Sequence, residues 1–268
     1  MMDMEKPVIA RGRTAEVLAW KDQQVLKLFY AWVSTEAIER ETQIARFVSV
    51  MDLPTPKLLD EVSLGDRHGL IYERVVGTSL LTMLGTHPLS CLHYGKQFAE
   101  LHAAIHSQRG NGLPPLKASL ENTIRDLKGL PANLLEPALQ RLDCLPEDEK
   151  LCHMDFHPDQ VMVTTSGQSV LDWMTARCGP PAADVARTIV LLRFGPVMNA
   201  SWLMQRLVNL LRGIFLRTYL QHYLDLNPAV TTAMIDAWLP IIAFARLAED
   251  IPGEKGKLHA FLQKTFRQ

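Results

Sequence analysis

The chain has 268 residues, 47% of them hydrophobic, and a formal net charge of −1. That length and apolar content suffice for one large domain or two small lobes with true cores, and near-neutral charge leaves no global field for nucleic acid or an anionic membrane. The 4 cysteines, Cys91, Cys144, Cys152 and Cys178, show neither CxxC pairing nor metal-type spacing and read as buried thiols of a reducing compartment.

Met1 to Lys6 is polar and lacks the apolar core of a secretion signal. The longest apolar stretches, such as Trp238 to Ala245, fall far short of the roughly 20 residues that cross a bilayer. A soluble cytoplasmic protein is expected, with no membrane and no nucleic-acid partner. Val8 to Ala19 and Gln24 to Phe29 carry β-branched and apolar residues around Lys21-Asp22, which predicts an antiparallel pair. Ser34 to Val50 has helical periodicity and ends before Leu53-Pro54-Thr55-Pro56, where two prolines force extended chain. Leu58 to Leu64 and Gly69 to Val75 read as two further strands across Gly65-Asp66. From Leu89 to Ser107 the pattern Leu92, Phe98, Leu101, Ile105 marks a helix face.

Gly110 to Pro115 is a loop, and residues 117–145 are helical with a break near Leu130-Pro131. Three long helical stretches follow at Ala182 to Phe194, Ser201 to Leu224 and Pro228 to Glu249, with a short one near the C-terminus. A small sheet-rich lobe (1–76) followed by a larger helical lobe (77–268) is an α+β arrangement. The hinge is expected near Tyr72 to Gly77, with ligands in the cleft between lobes.

The densest set of reactive side chains is His153-Met-Asp155-Phe-His157-Pro-Asp159-Gln160, followed by Val161-Met-Val163, a Ser166-Gly167 turn and Val170-Leu-Asp172-Trp173. The two apolar runs predict a hairpin that sets Asp172 opposite Val161 or Met162, near Gln160 and the loop carrying Asp155. Acids gathered at a hairpin end suit Mg²⁺, a hard cation. One carboxylate holds the metal while another takes the proton of an attacking hydroxyl. The bland reading is a solvated loop; the spacing and the downstream Asp-Trp agree independently against it. A zinc site on His153, Asp155 and His157 lacks a further His or Cys at a partnering spacing.

The small lobe supplies a second test. Lys27 is a lone cation inside the apolar strand Gln24 to Phe29. On the helix that follows, Ala37, Ile38, Ile44, Ala45 and Val48 form one stripe with Glu41 near its middle. A carboxylate on a buried face is costly unless paired, and Lys27 is the expected partner.

These segments resemble the aminoglycoside phosphotransferase/choline kinase-like family, relatives of the protein kinases. The likeness rests on His153-x-Asp155 with its downstream Leu171-Asp172-Trp173, on Gly179-Pro-Pro-Ala-Ala-Asp184-Val-Ala, and on the small lobe, so it spans most of the chain to about residue 195. It implies a two-lobed protein-kinase-like fold and transfer of the γ-phosphate of ATP (or GTP), with Mg²⁺, to a hydroxyl of a small molecule. By that resemblance Asp155 is the catalytic base, Asp172 binds the metal, Lys27 held by Glu41 grips the phosphates, and Asp184 braces the catalytic loop.

Gly12 and Thr14 lie where the family's phosphate-covering loop would be, and the backbone of Glu73 and Val75 where it holds adenine, with Tyr72 behind. Gln160 stands where the family usually has asparagine as second metal ligand. Its extra methylene displaces the amide by roughly 1.5 Å, which motivates a catalytically impaired, nucleotide-binding or regulatory pseudokinase as the alternative. A cleft that serves as an interaction surface without nucleotide is a third reading.

Other residues are left unassigned. His102 and His106 are four apart on a helix, but position 103 is alanine and no third ligand follows in sequence, so they are read as packing or surface histidines. Trp202, Trp238, Tyr219 and Tyr223 are read as core. Glu249 and Asp250 are acids that could meet a cationic substrate or simply be solvated, and Arg177, Arg187 and Arg193 are read as salt-bridge partners.

Overall fold

The computed structural model describes residues 7–127, 132–196 and 201–266. Its first elements are β1 (Val8–Arg11), β2 (Ala15–Ala19), β3 (Gln24–Phe29), α1 (Thr35–Ser49), β4 (Leu58–Leu64), β5 (Arg67–Glu73), β6 (Thr78–Ser79) and α2 (Leu80–Thr86). Then come α3 (Cys91–Ser107), α4 (Leu116–Arg125), α5 (Ala132–Cys144), β7 (Lys150–Cys152), β8 (Val161–Thr164), β9 (Gly167–Val170) and β10 (Arg177–Gly179). The chain closes on α6 (Pro181–Phe194), α7 (Trp202–Leu226), α8 (Thr232–Leu247) and α9 (Lys255–Phe266). This is the expected α+β class, an antiparallel sheet with one long helix and a larger helical part. Contacts group Met1–Leu80 with Asp159–Met174 as one unit and Leu81–Pro158 with Thr175–Gln268 as the other.

The first unit holds an antiparallel sheet of order β1-β2-β3-β5-β4. The expected run Val8 to Ala19 is broken by a tight turn in which the Gly12 amide donates to Ala15 O at 2.8 Å. Strand alternation sends Leu26 and Leu28 to one face, with Leu18 and Ile71, and Phe29 to the other, with Ala15, Leu70 and Ile38 of α1. Lys27 shares the Phe29 face and so points toward α1. The buried stripe of α1 is Ile38, Glu41, Thr42, Ile44, Ala45 and Val48. Ala37, expected on that stripe, is exposed in the first turn. Thr42 joins the stripe instead, its hydroxyl satisfied on Ile38 O at 2.9 Å.

The β8–β9 hairpin also belongs to this unit, whereas a division at residue 76 would separate it. Thr78 and Ser79 of β6 pair with Val163 and Met162. Gly77 makes the approach possible: a Cβ there would sit 2.3 Å from Val163 O. Pairing runs Val161↔Val170 to Thr164↔Gly167, so the turn is Thr165-Ser166 and not Ser166-Gly167. The Thr164 hydroxyl closes the turn early by accepting from the Ser166 amide at 3.2 Å and donating to Gly167 O at 3.0 Å. Asp172 therefore lies beyond the ladder and not opposite Val161 or Met162. The Leu171 amide still donates to Gln160 O at 2.8 Å, which keeps the two candidate ligand positions side by side.

In the second unit α3 packs on α7 and α6 on α8. Phe98 of α3 stacks on Phe156 at 4.1 Å between centroids. The buried face of α3 is Cys91, Gly95, Phe98, Ala99, His102, Ile105 and His106. Leu92, expected on that face, is 57% exposed. The face turns toward Gly95 because the missing side chain lets Thr218 of α7 close in, to 3.1 Å from a Cβ built there. α8 starts at Thr232 and not at Pro228, because Thr231 caps it by accepting from the Met234 amide at 3.2 Å. The expected break at Leu130-Pro131 lies outside the described residues. Cys144 is exposed and Cys178 half-buried, so only Cys91 and Cys152 are the buried thiols expected. No helix among the described residues is long and apolar enough to cross a membrane.

Candidate active site

Within the first unit, Lys27 is the centre of the charge arrangement. Its Nζ donates to Glu41 Oε1 and lies 3.4 Å from Asp172 Oδ1. The lysine and Glu41 side chains are only 18% and 8% exposed. Burial pulls the ammonium's pKa down, but Asp172 and then Glu41 outweigh it, so Lys27 is held above its ordinary value and stays charged. Asp172 reaches it from a left-handed backbone, φ 56°, a conformation aspartate tolerates better than most residues. The sheet, α1 and the hairpin mouth thus bring Lys27, Glu41 and Asp172 together, with Gln160 bonded to the neighbour of Asp172.

The remaining first-unit candidates are more weakly defined by geometry. Gly12 and Thr14 form the turn between β1 and β2, anchored where the Tyr30 amide donates to Thr14 O at 3.0 Å. The Glu73 amide donates to Lys57 O at 3.1 Å, so any adenine contact from Glu73 falls to its carbonyl. Val75 follows the end of β5.

In the second unit Asp155 sits 3.6 Å from both His157 Nε2 and Arg187 Nη2. Burial pushes its carboxyl up, but hydrogen bonding and charge from His157, then Arg187 and His153, hold it well below the usual carboxylate range. Arg187 itself is buried and binds Glu249 at 2.5 Å. Glu249 also meets Arg246, which grips Glu254 through two nitrogens at 2.6 and 2.7 Å. The sequence reading of Arg187 as an ion-pair partner holds; that the pair reaches Asp155 had no sequence signal, since the partner, Glu249, is 62 positions away in the chain.

Asp184 braces the loop before Asp155: its carboxylate accepts from the His153 amide at 2.5 Å and the Met154 amide at 2.9 Å. Arg187 Nε adds a bond to Met154 O at 3.0 Å. Met154 needs this support, since its φ of 62° is unusual for a residue with a side chain. Behind Asp184 lie His102 and His106, both with Nε2 at 3.2 Å from Asp184 Oδ2, the His102 contact poorly aligned. Their other ring nitrogens meet Tyr219 Oη at 2.7 Å and Tyr223 Oη at 2.6 Å. His102/His106 on α3 and Tyr219/Tyr223 on α7 are each spaced by four, so the two helices meet rung on rung, a pattern legible in the sequence once the pairs are set side by side.

These three ligand-type side chains are the one such group among the described residues whose atoms lie within 4.8 Å of each other, and they are fully buried. Asp184 is the third partner that sequence spacing did not supply. Its oxygens are already used by two backbone amides, so packing accounts for the trio. His153, Asp155 and His157 do not form such a group among the described residues.

Buried His102 predicts an acid-sensitive fold. Burial drives His102 down to about 3, with His106 adding to the effect. Its unfolded value is about 6.5, so the unfolded chain binds the extra proton between those limits. Stability contributed by neutral His102 is therefore present above about pH 6.5 and lost as pH falls toward 3. Thermal melts of His102→Gln over this range should show a shallower pH slope than the wild type; an unchanged slope would contradict the assignment.

Of the unassigned aromatics, Trp238, Tyr219 and Tyr223 are fully buried as expected, but Trp202 is 66% exposed, with Arg206 over its ring. Asp250 pairs with Lys255, so neither acid at the end of α8 is without a cation.

A family model described as the phosphotransferase enzyme family matches residues 9–229. Nothing matches among curated proteins. A solved structure of a thermostable mutant of the aminoglycoside phosphotransferase APH(4)-Ia, a ternary complex with AMP-PNP and hygromycin B, is similar at TM-score 0.65 and 16% identity, over 98% of this chain and 92% of that one. An aminoglycoside-3'-phosphotransferase of type VIII is similar at TM-score 0.62 and 17% identity, over 92% and 93%. The macrolide 2'-phosphotransferase MphH from Brachybacterium faecium is similar at TM-score 0.57 and 16% identity, over 96% and 91%. At these identities the likeness is one of fold.

Proposed function

The chain belongs to the phosphotransferase enzyme family, and from that footing we propose that it moves the γ-phosphate of ATP or GTP to a hydroxyl of a small molecule. The observation that carries the reading is the buried Lys27 held between Glu41 and Asp172. A cation fixed by a helix carboxylate beside a second acid is what nucleotide phosphates and their metal require. Lys27 binds the phosphates and Glu41 orients it. The turn carrying Gly12 and Thr14 covers the phosphates, Thr14 through its hydroxyl, while the Gly12 amide holds the turn on Ala15 O at 2.8 Å. Glu73 and Val75 meet the base. In the second unit Asp155 accepts the proton of the acceptor hydroxyl, and Asp184 positions its loop.

The donor chemistry of Asp172 and Gln160, a carboxylate and an amide oxygen, fits Mg²⁺. When bound, the ion neutralises charge on the phosphates. Relatives of similar fold have been solved with AMP-PNP or with ADP and streptomycin, which supports a nucleotide and a small acceptor here.

The test is Mg²⁺-dependent nucleotide binding, followed by nucleotide consumption over aminoglycosides, macrolides, amino alcohols and sugars. A wild-type protein that binds neither ATP nor GTP with Mg²⁺ overturns the reading. Gln160→Asn is expected to raise kcat about tenfold, because drawing the amide back by one methylene restores metal-ligand geometry to which rate is steeply sensitive. An unchanged or lower kcat with the best acceptor would show that Gln160 already coordinates well, or not at all.

A further inference from the structure

The second unit carries a cavity of about 380 Å³ whose polar lining is cationic and amide. Arg212, Gln205 and Asn209 of α7 form one wall. Pro252 and Gly253 of the α8–α9 loop, with Lys257 of α9, form the other. Arg212 is half-buried and spends one nitrogen on the carbonyl of Gly195, at 2.8 Å, the residue whose amide caps α6 on Leu191 O. The rest of its planar fork has no acid to meet: among the described residues no carboxylate lies within 4.0 Å of Arg212 or of Lys257. Burial without a compensating anion draws the Arg212 pKa down from its ordinary value.

The acids of the adjoining loop are not spare. Glu249 is held by Arg187 and Arg246, Glu254 by Arg246, and Asp250 by Lys255. Two cations therefore face the cavity without an acid, while the three carboxylates of the loop are paired with other cations. An arginine fork, a lysine point charge and the Asn209 amide make a donor set for a tetrahedral or planar oxyanion, and the volume is at the small end of ligand pockets.

We propose that this cleft binds the phosphate or carboxylate group of a small anionic molecule. A polycation is disfavoured there, because it would face two positive charges with no free acid. The proposal goes beyond phosphotransfer and does not rest on it, since binding needs no nucleotide. The loop that walls the cleft is tied through Glu249 and Arg187 to Asp155, so the bound anion is either the far end of the acceptor substrate or a free anion that acts on the site through this chain of ion pairs.

Calorimetric titration of the intact chain tests the binding, with inorganic phosphate and 3-phosphoglycerate as probes and glycerol as the neutral control. Binding is expected for at least one anion and not for glycerol. Lys257→Glu, a change at an exposed position, should weaken it about tenfold or more, and Arg212→Gln similarly, the loss of one charge-assisted contact. A matched melting temperature shows that each variant folds. Tighter binding of the carbon-borne phosphate supports a substrate end; equal binding of inorganic phosphate supports a free-anion site. Absence of binding to the wild type at 10 mM, or binding undiminished in Lys257→Glu, overturns the proposal.

Discussion

Asp155→Asn is expected to lower kcat by roughly 10²- to 10⁴-fold, the usual contribution of a positioned base, while nucleotide affinity and melting temperature stay close to wild type. The reason for separability is local. Asparagine keeps the size of the side chain but cannot take a proton. Arg187, the buried cation beside it, keeps Glu249 at 2.5 Å, so removing the Asp155 charge does not strand an unpaired guanidinium.

The pH behaviour follows from the same neighbours. His157, Arg187 and His153 outweigh burial and depress the Asp155 pKa. A depressed acid stays ionised as pH falls through its ordinary value, and the ion-pair stability it contributes is present above that value and lost only below it. Loss of rate between pH 8 and about 4 should therefore not trace to protonation of Asp155. Steady-state kinetics of the two proteins, with a melting curve for each, decide the matter. Wild-type turnover by the asparagine variant removes Asp155 from the chemistry.

Lys27 and Glu41 were legible because their signal is local. A lysine in an apolar strand and a glutamate inside a helical apolar stripe are each anomalous alone, and period 2 against period 3.6 leaves them facing each other. Asp184 was legible only through the resemblance. The hairpin register slipped because turn position depends on which side chain closes it, and Thr164 closes this one a residue early.

Leu92 was misplaced for a related reason. Periodicity ranks faces by hydrophobicity, but the face of α3 that packs is set by the small residue Gly95 and by polar His102 and His106, whose hydrogen bonds make burial tolerable. Arg187 with Glu249, and Arg212 facing its cavity, join positions far apart in the chain. No short-range pattern encodes such pairs; only the packing of α6, α7 and α8 reveals them.

Asp172 carries the second large effect, and two substitutions separate its charge from its backbone. Both Asp172→Asn and Asp172→Ala should cut phosphotransfer by roughly 10³-fold and weaken Mg²⁺-dependent nucleotide binding, since each removes the carboxylate proposed to hold the ion. They should differ in stability. At φ 56° asparagine is accommodated about as well as aspartate, whereas alanine costs about 1 kcal/mol. Neither variant orphans Lys27, because its bond to Glu41 remains. Chemical denaturation should accordingly rank the asparagine variant near wild type and alanine below it, while the two are equally inactive. If Asp172→Asn kept Mg²⁺-dependent nucleotide affinity, the ion would have to be held elsewhere, and the pairing of Asp172 with Lys27 would be purely structural.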